Sequence, residues 1–189
     1  MGLKGKRNPF RNAIRKLFSS KRPLEEINGV YLGQDHFLRV VNQPNNKPEF
    51  VSEISGVATN FQLASRYGNI GLIAHNYLGG RHFSDLKIGD MVYVMNGFQD
   101  KRCYQVTSIH TYQALNPRSS RSNFIDLETR KTHSVNEVFK KIYTGEHHLV
   151  LQTCIEKGNI KEWGRLFVIA VPVESLILPL EDYRDYRRN

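Results

Sequence analysis

The chain has 189 residues, 40% of them hydrophobic, which is enough for one well-packed domain and too little for two large ones. Its net charge of +9 is unevenly placed, because residues 1–24 hold eight of the 27 basic residues (Lys4, Lys6, Arg7, Arg11, Arg15, Lys16, Lys21, Arg22) and none of the 18 acidic ones. The basicity belongs to an arm, and the nearly balanced remainder argues against a nucleic-acid-binding face on the domain itself.

Within the arm, Asn8 can cap a helix with Pro9 at its first position, and Phe10, Ala13, Ile14, Leu17 and Phe18 recur at helical spacing on one face. Three uses fit such a basic amphipathic segment: lying on an anionic membrane surface, packing its stripe back onto the domain, or serving as a partner-binding or nucleic-acid tail. Charges interrupt its apolar residues, so it does not read as a secretory signal, and no segment approaches the ~18 uninterrupted apolar residues of a membrane span. The compartment stays open.

From Glu25 the pattern is short strands and turns. Strands are expected at Gly29 to Leu32, His36 to Val41 and Glu49 to Ile54, with a turn through Asn42, Pro44, Asn45, Asn46 and Pro48. Asn60 to Tyr67 can make a short helix that Gly68 ends, and the apolar run Ile70 to Ala74 closes on His75. Met91 to Met95 and Phe98 to Ile109 flank Asn96-Gly97, a pair that supplies the positive φ angles of a tight turn, so a hairpin is predicted. Thr111 to Arg130 combines Pro117, three serines and three arginines and reads as a mobile connection. Ser134 can cap a helix over Val135 to Tyr143, with Glu137 at the capping-box position and Gly145 beyond its end. The fold class is therefore largely all-β, in a domain spanning 25–180, between the arm (1–24) and a polar tail (181–189).

Two late runs carry the chemistry: His147 to Cys154, and, after a short loop, Gly164 to Ala170. Along the first, Leu149, Leu151 and Thr153 share one face, and Val150, Gln152 and Cys154 share the other. A cysteine closing one strand and Arg165 opening the next put a nucleophile and a fixed cation at the same end of a strand pair. His75, at another strand end, is the third candidate. A thiol with an ordinary pKa of about 8.5 is only a few per cent ionised at neutral pH, so it needs a base or nearby positive charge. A guanidinium can hold the negative charge of an acyl-transfer intermediate without losing its proton. Taken singly, each residue also has an ordinary structural explanation.

Together with their contexts these residues resemble the sortase family, the cysteine transpeptidases of bacterial surfaces. Leu151-Gln152-Thr153-Cys154 looks like the family's Thr-Leu-x-Thr-Cys strand end, and Arg165-Leu166-Phe167-Val168 looks like its arginine-bearing strand. The run Ile73-Ala74-His75, then Phe83-Ser84-Asp85-Leu86 and Gly89-Asp90 into Met91 to Val94, follows the stretch after the family's histidine. The chain departs in having Val150 where the family often has Thr, and Ala74 where many members have Gly. The resemblance covers roughly residues 50 to 172 and implies a closed barrel of about eight strands, with His75, Cys154 and Arg165 catalytic and Thr153 a substrate contact. It also implies that the region matching Thr111 to Arg130 helps form the substrate groove.

The activity implied is cleavage of a sorting-signal peptide through a Cys154 thioester and transfer to an amine acceptor, and the location implied is the cell surface. Two further readings share the same residues: a cysteine hydrolase with water as acceptor, and a peptide-binding module without turnover. No cofactor is expected. Some sortases bind calcium through acidic loops, but no matching cluster is present, and His82, His147 and His148 lack companions at zinc-ligand spacing. Cys103 reads as a half-buried strand residue; a disulfide to Cys154 is conceivable only in an oxidising compartment and would silence the nucleophile.

Overall fold

The computed structural model describes residues 26–173 apart from 34, 98 and 99. The arm (1–24), the tail (181–189) and the last residues of the expected domain lie outside the described residues. Strands dominate: β1 (Ile27–Leu32), β2 (His36–Asn42), β3 (Val57–Asn60), β4 (Ile70–Ile73), β5 (Met91–Asn96), β6 (Asp100–Ala114), β7 (Phe124–Asp126), β8 (Thr132–His133), β9 (Leu149–Lys157) and β10 (Ile160–Pro172). Between them stand three helices, α1 (Gln62–Ser65), α2 (Arg81–Ser84) and α3 (Val135–Tyr143).

Eight strands run in the order β10-β9-β4-β3-β2-β1-β5-β6, and pairing of β10 with β6 closes them into a barrel. The β2–β3 and β4–β9 contacts are parallel, and the other ladders of the barrel are antiparallel. β7 and β8 extend the sheet beyond β6. Closure leaves none of the eight strands with an unpaired edge along its whole length, which removes the usual liability of a β-sheet. The mostly-strand class and the barrel of about eight strands expected from the sequence are both present.

Side-chain alternation sorts the core into two layers. Leu149 and Leu151 of β9, with Leu166, Val168 and Ala170 of β10, point into the barrel beside Val30, Leu38, Leu72, Val94 and Val106. Val150 and Phe167 point outward and meet Val138, Ile142 and Tyr143 of α3. Each such buried side chain contributes about 1.5–3 kcal/mol, so α3 is held by its apolar face. Its start is held locally. The Ser134 hydroxyl accepts from the Glu137 amide at 3.3 Å while the Glu137 carboxylate accepts from the Ser134 amide at 2.7 Å, the capping box read from the sequence.

Three expectations are corrected. Glu49 to Ile54 forms no strand; the Gln43 side-chain amide donates to the Pro48 and Phe50 carbonyls at 2.7 and 3.1 Å, and the Ser52 amide donates to Thr59 Oγ1 at 2.8 Å. Side chains thus satisfy backbone groups that a ladder would otherwise pair, and the real strand is β3, eight residues later. Thr111 to Arg130 is not one mobile connection, because β6 continues to Ala114 and returns as β7, pairing Ala114 with Phe124. Finally, β9 and β10 reach further than the apolar runs, to Lys157 and back to Ile160, so Cys154 and Arg165 lie inside strands. The predicted hairpin is present, with Asn96 belonging to the strand and paired with Asp100.

Candidate active site

Cys154 and Arg165 face each other directly in the β9–β10 ladder. Both lie on the outward side of the barrel, the side of Val150, Gln152 and Phe167, as the alternation requires. β4 runs parallel to β9 with Ile73 opposite Gln152, and the Ala74 amide donates to the Gln152 carbonyl at 3.2 Å. The chain leaving β4 therefore delivers His75 beside the end of the Gln152-Thr153-Cys154 segment. His75, Cys154 and Arg165 all line one groove of about 1170 Å³, counting its open mouth.

The turn after His75 is tightly fixed. The His75 carbonyl accepts from the Leu78 and Gly80 amides, both at 2.9 Å, and the Ala74 carbonyl accepts from the Thr153 hydroxyl at 2.9 Å. A Cβ on Gly80 would stand 2.3 Å from Thr153 Oγ1 and 2.5 Å from the Ala74 oxygen, so only glycine fits here. Thr153 itself is 1% exposed and its hydroxyl is engaged by Ala74. The side chain thus holds the His75 segment, and Thr153 also lines the groove.

Arg165 is anchored by backbone oxygens. Its Nη1 donates to the Glu162 and Gly164 carbonyls, each at 2.9 Å, and its Nη2 donates to the Pro117 carbonyl at 3.2 Å. This leaves Nε–H and one Nη2–H without a partner among the described residues, on a cation held in place. Burial pushes the Cys154 thiol above its ordinary range; the Arg165 guanidinium opposes that rise and the Glu162 carboxylate adds to it. Burial wins, so the resting group is the neutral thiol. No hydrogen bond joins His75 to Cys154.

The groove wall comes from residues that the sequence pattern did not single out. Phe124 of β7, with Val135, Val138 and Phe139 of α3, gives an apolar flank. Ser119 and Ser120 of the β6–β7 connection also line it, in agreement with the expectation for the Thr111 to Arg130 region. Gln152 lies on the floor, its side-chain oxygen accepting from the Tyr143 hydroxyl, whose phenol burial pushes far up. The capping box and apolar stripe of α3 were legible, but nothing in them said that this helix would face the groove.

The remaining candidates lie elsewhere. His82 stacks on His36, His147 contacts the Tyr104 hydroxyl and the Gly68 carbonyl, and both ring nitrogens of His148 face carbonyls. Cys103 and Cys154 are both free thiols. Tyr104, next to Cys103, pairs with Pro172, while Cys154 pairs with Arg165 seven residues earlier on β10. At ~3.3 Å per residue that is over 20 Å, beyond the ~7 Å Cα limit of a disulfide. No helix among the described residues is long and apolar enough to cross a membrane.

A closed mixed barrel thus carries a cysteine and an arginine as cross-strand partners, with a histidine just beyond the end of neighbouring β4. Solved structures share the architecture. A sortase C1 from Streptococcus suis matches with a TM-score of 0.51 at 16% identity, over 93% of this chain and 91% of that one. A pilus-related sortase C of Group B Streptococcus matches at 0.50 and 16% identity, over 82% and 70%. At such identity these likenesses establish the fold alone. No curated protein matches the chain. The Sortase domain family pattern covers residues 36–173, well over half of the sequence, and the chain belongs to the sortase family, a family of cysteine transpeptidases.

Proposed function

We propose that this chain cleaves a sorting-signal peptide of the Leu-Pro-x-Thr-Gly type and joins it to an amine, with Cys154 as nucleophile, His75 as proton carrier and Arg165 as oxyanion stabiliser. One observation carries the reading: the in-register pairing of Cys154 with a carbonyl-anchored Arg165 in a groove that also holds His75. Because the resting thiol is neutral, His75 takes the Sγ proton as sulfur bonds to the peptide carbonyl carbon. The oxyanion forms beside the free N–H groups of Arg165. Collapse breaks the C–N bond, and the proton passes from His75 to the departing amine. In the second half the acceptor nitrogen attacks the thioester and its proton goes to His75, and as the C–S bond breaks His75 returns that proton to Sγ, restoring the Cys154 thiol.

The apolar flank from α3 and β7 suits an extended peptide with apolar side chains. The same reading divides the chain into an arm (1–24), a barrel domain (25–180) and a tail (181–189), with the arm's positive charge suited to an anionic membrane surface.

The test is intact-mass spectrometry after incubation with a thiol-directed Leu-Pro-x-Thr analogue, using the native chain, Cys154→Ala and His75→Ala. A single adduct that vanishes in Cys154→Ala and forms more slowly in His75→Ala is the expected result. With cleavable peptide and an amine acceptor, amide product supports transfer, and acid alone points to a hydrolase. Labelling of Cys103 as readily as Cys154 overturns the activated-nucleophile assignment, and peptide binding that persists without turnover in native protein points to a binding module.

A further inference from the structure

A catalytic histidine is ordinarily oriented by a third group that hydrogen-bonds its second ring nitrogen. Among the described residues no hydrogen bond reaches the His75 imidazole. What touches it instead is Tyr77, two residues on, whose ring lies with its centroid 5.1 Å from that of His75 and its plane inclined by 21°. Tyr77 is half exposed, so the contact is not a by-product of core packing. Its ring is held in turn from the β9–β10 hairpin. Lys161 Nζ sits 5.1 Å from the Tyr77 ring centroid, and the neighbouring Asn76 side-chain amide donates to the Lys161 carbonyl at 3.3 Å. The hairpin is thus latched to the histidine segment on both sides of the Asn76-Tyr77 peptide.

We propose that Tyr77 is the positioning residue of His75, its ring replacing the missing hydrogen-bonded orienter, and that Lys161 and Asn76 tether it to the strand pair bearing Cys154 and Arg165. This rests on His75 being the proton carrier. The physical content is that a stacked ring restricts imidazole rotation about its side-chain torsions without consuming either nitrogen. Both nitrogens stay available, one to face the sulfur and one to face solvent. A hydrogen-bonded carboxylate would fix one tautomer, whereas a stacked phenol fixes only the plane. The tether matters because His75 and Cys154 lie on different strands, and acyl transfer is sensitive to their separation: a shift of about 1 Å costs on the order of 100-fold in rate.

The experiment compares the native chain with Tyr77→Ala, Tyr77→Phe and His75→Ala. Proton NMR of the histidine ring signals, assigned to His75 by their loss in His75→Ala, reads the stack directly through the ring-current shift. Steady-state cleavage of a quenched Leu-Pro-x-Thr-Gly peptide reads its consequence. The expected result is a ring-current shift lost in Tyr77→Ala and kept in Tyr77→Phe. With it, kcat falls ~10- to 100-fold in Tyr77→Ala, KM stays within about twofold, and Tyr77→Phe retains native turnover. A His75 signal unmoved in Tyr77→Ala overturns the proposal, as does a lost shift with unchanged kcat. The parallel His75→Ala separates the two layers of the argument. Full turnover there, or no cleavage by the native chain, defeats the functional reading; an inactive His75→Ala beside a fully active Tyr77→Ala defeats the positioning role alone.

Discussion

Replacing Gly80 by alanine tests how tightly the turn behind His75 is built. Gly80 has φ −65° and ψ −19°, a conformation open to any residue, so the penalty is steric and not conformational. A new Cβ would meet Thr153 Oγ1 at 2.3 Å, the Ala74 oxygen at 2.5 Å and the His75 oxygen at 2.7 Å. Two of these are backbone atoms that cannot rotate away. Relief requires the turn to move, which weakens the Thr153–Ala74 and Gly80–His75 hydrogen bonds, at ~1 kcal/mol each. Overpacking adds about 1–3 kcal/mol, and the gain from restricting the unfolded chain returns only ~0.4–1 kcal/mol. The net expectation is a loss of roughly 2–4 kcal/mol, which at a urea m-value of about 2 kcal/mol/M lowers the unfolding midpoint by ~1–2 M. Gly79→Ala is the control, since its Cβ would meet Leu38 methyl carbons at 3.2 Å and the Val57 oxygen at 3.3 Å, contacts that small adjustments relieve. Urea unfolding followed by circular dichroism reads both variants, and peptide cleavage is expected to fall in Gly80→Ala by on the order of 100-fold. A Gly80→Ala chain as stable as Gly79→Ala refutes the account of the turn.

Two other outcomes follow from charge. Labelling of Cys154 by iodoacetamide in a Cys103→Ser background should climb through pH 8 and beyond, because burial raises its thiol. Arg165→Gln should slow labelling at pH 8 and Glu162→Gln should speed it, and a rate already level below pH 7 contradicts this. The Thr129 amide at 3.0 Å, with the Glu128 amide at 2.9 Å, holds buried Asp126 below its ordinary carboxylate range, against burial and with help from Lys141. The stability it contributes is present above pH ~4 and lost as pH falls through the lower folded value. Asp126→Ala should therefore cost about 2–3 kcal/mol at pH 7, with the gap between the thermal melts of variant and native chain narrowing as pH falls below ~4.

The barrel was legible in the sequence where alternation was strict. Leu149, Leu151 and Thr153 against Val150, Gln152 and Cys154 gave the two faces of β9, because one face meets the barrel interior and the other meets α3. Alternation says nothing about where polar strands stop, so the apolar pattern leaves Ile155 to Lys157 and Ile160 to Trp163 as loop although they continue the hairpin. Pairing of Cys154 with Arg165 depends on the register shift between Ile160 and Gly164, since the turn that pairs Ile160 with Lys157 would by itself leave Arg165 opposite Gln152, and apolar pattern sets neither. Glu49 to Ile54 misled for the opposite reason: its composition suits a strand, but Gln43 and Thr59, from outside the segment, claim its backbone. Tyr77 carried no signal at all, since a lone aromatic after a strand reveals nothing until the hairpin that covers it is in place.

β10 is flanked by β6 on one side and β9 on the other, yet β7, β8 and α3 are strung between those two flanking strands. The chain thus steps off the barrel and rejoins it two strands away, with Arg165 on the strand it steps over. Such an excursion is a cassette with fixed attachment points: its length and lining can be exchanged between Ala114 and Leu149 while the ladder beneath keeps its register. Chimeras that swap this cassette while keeping Pro117, whose carbonyl anchors Arg165, would change the groove wall and leave the Cys154–Arg165 pairing in place.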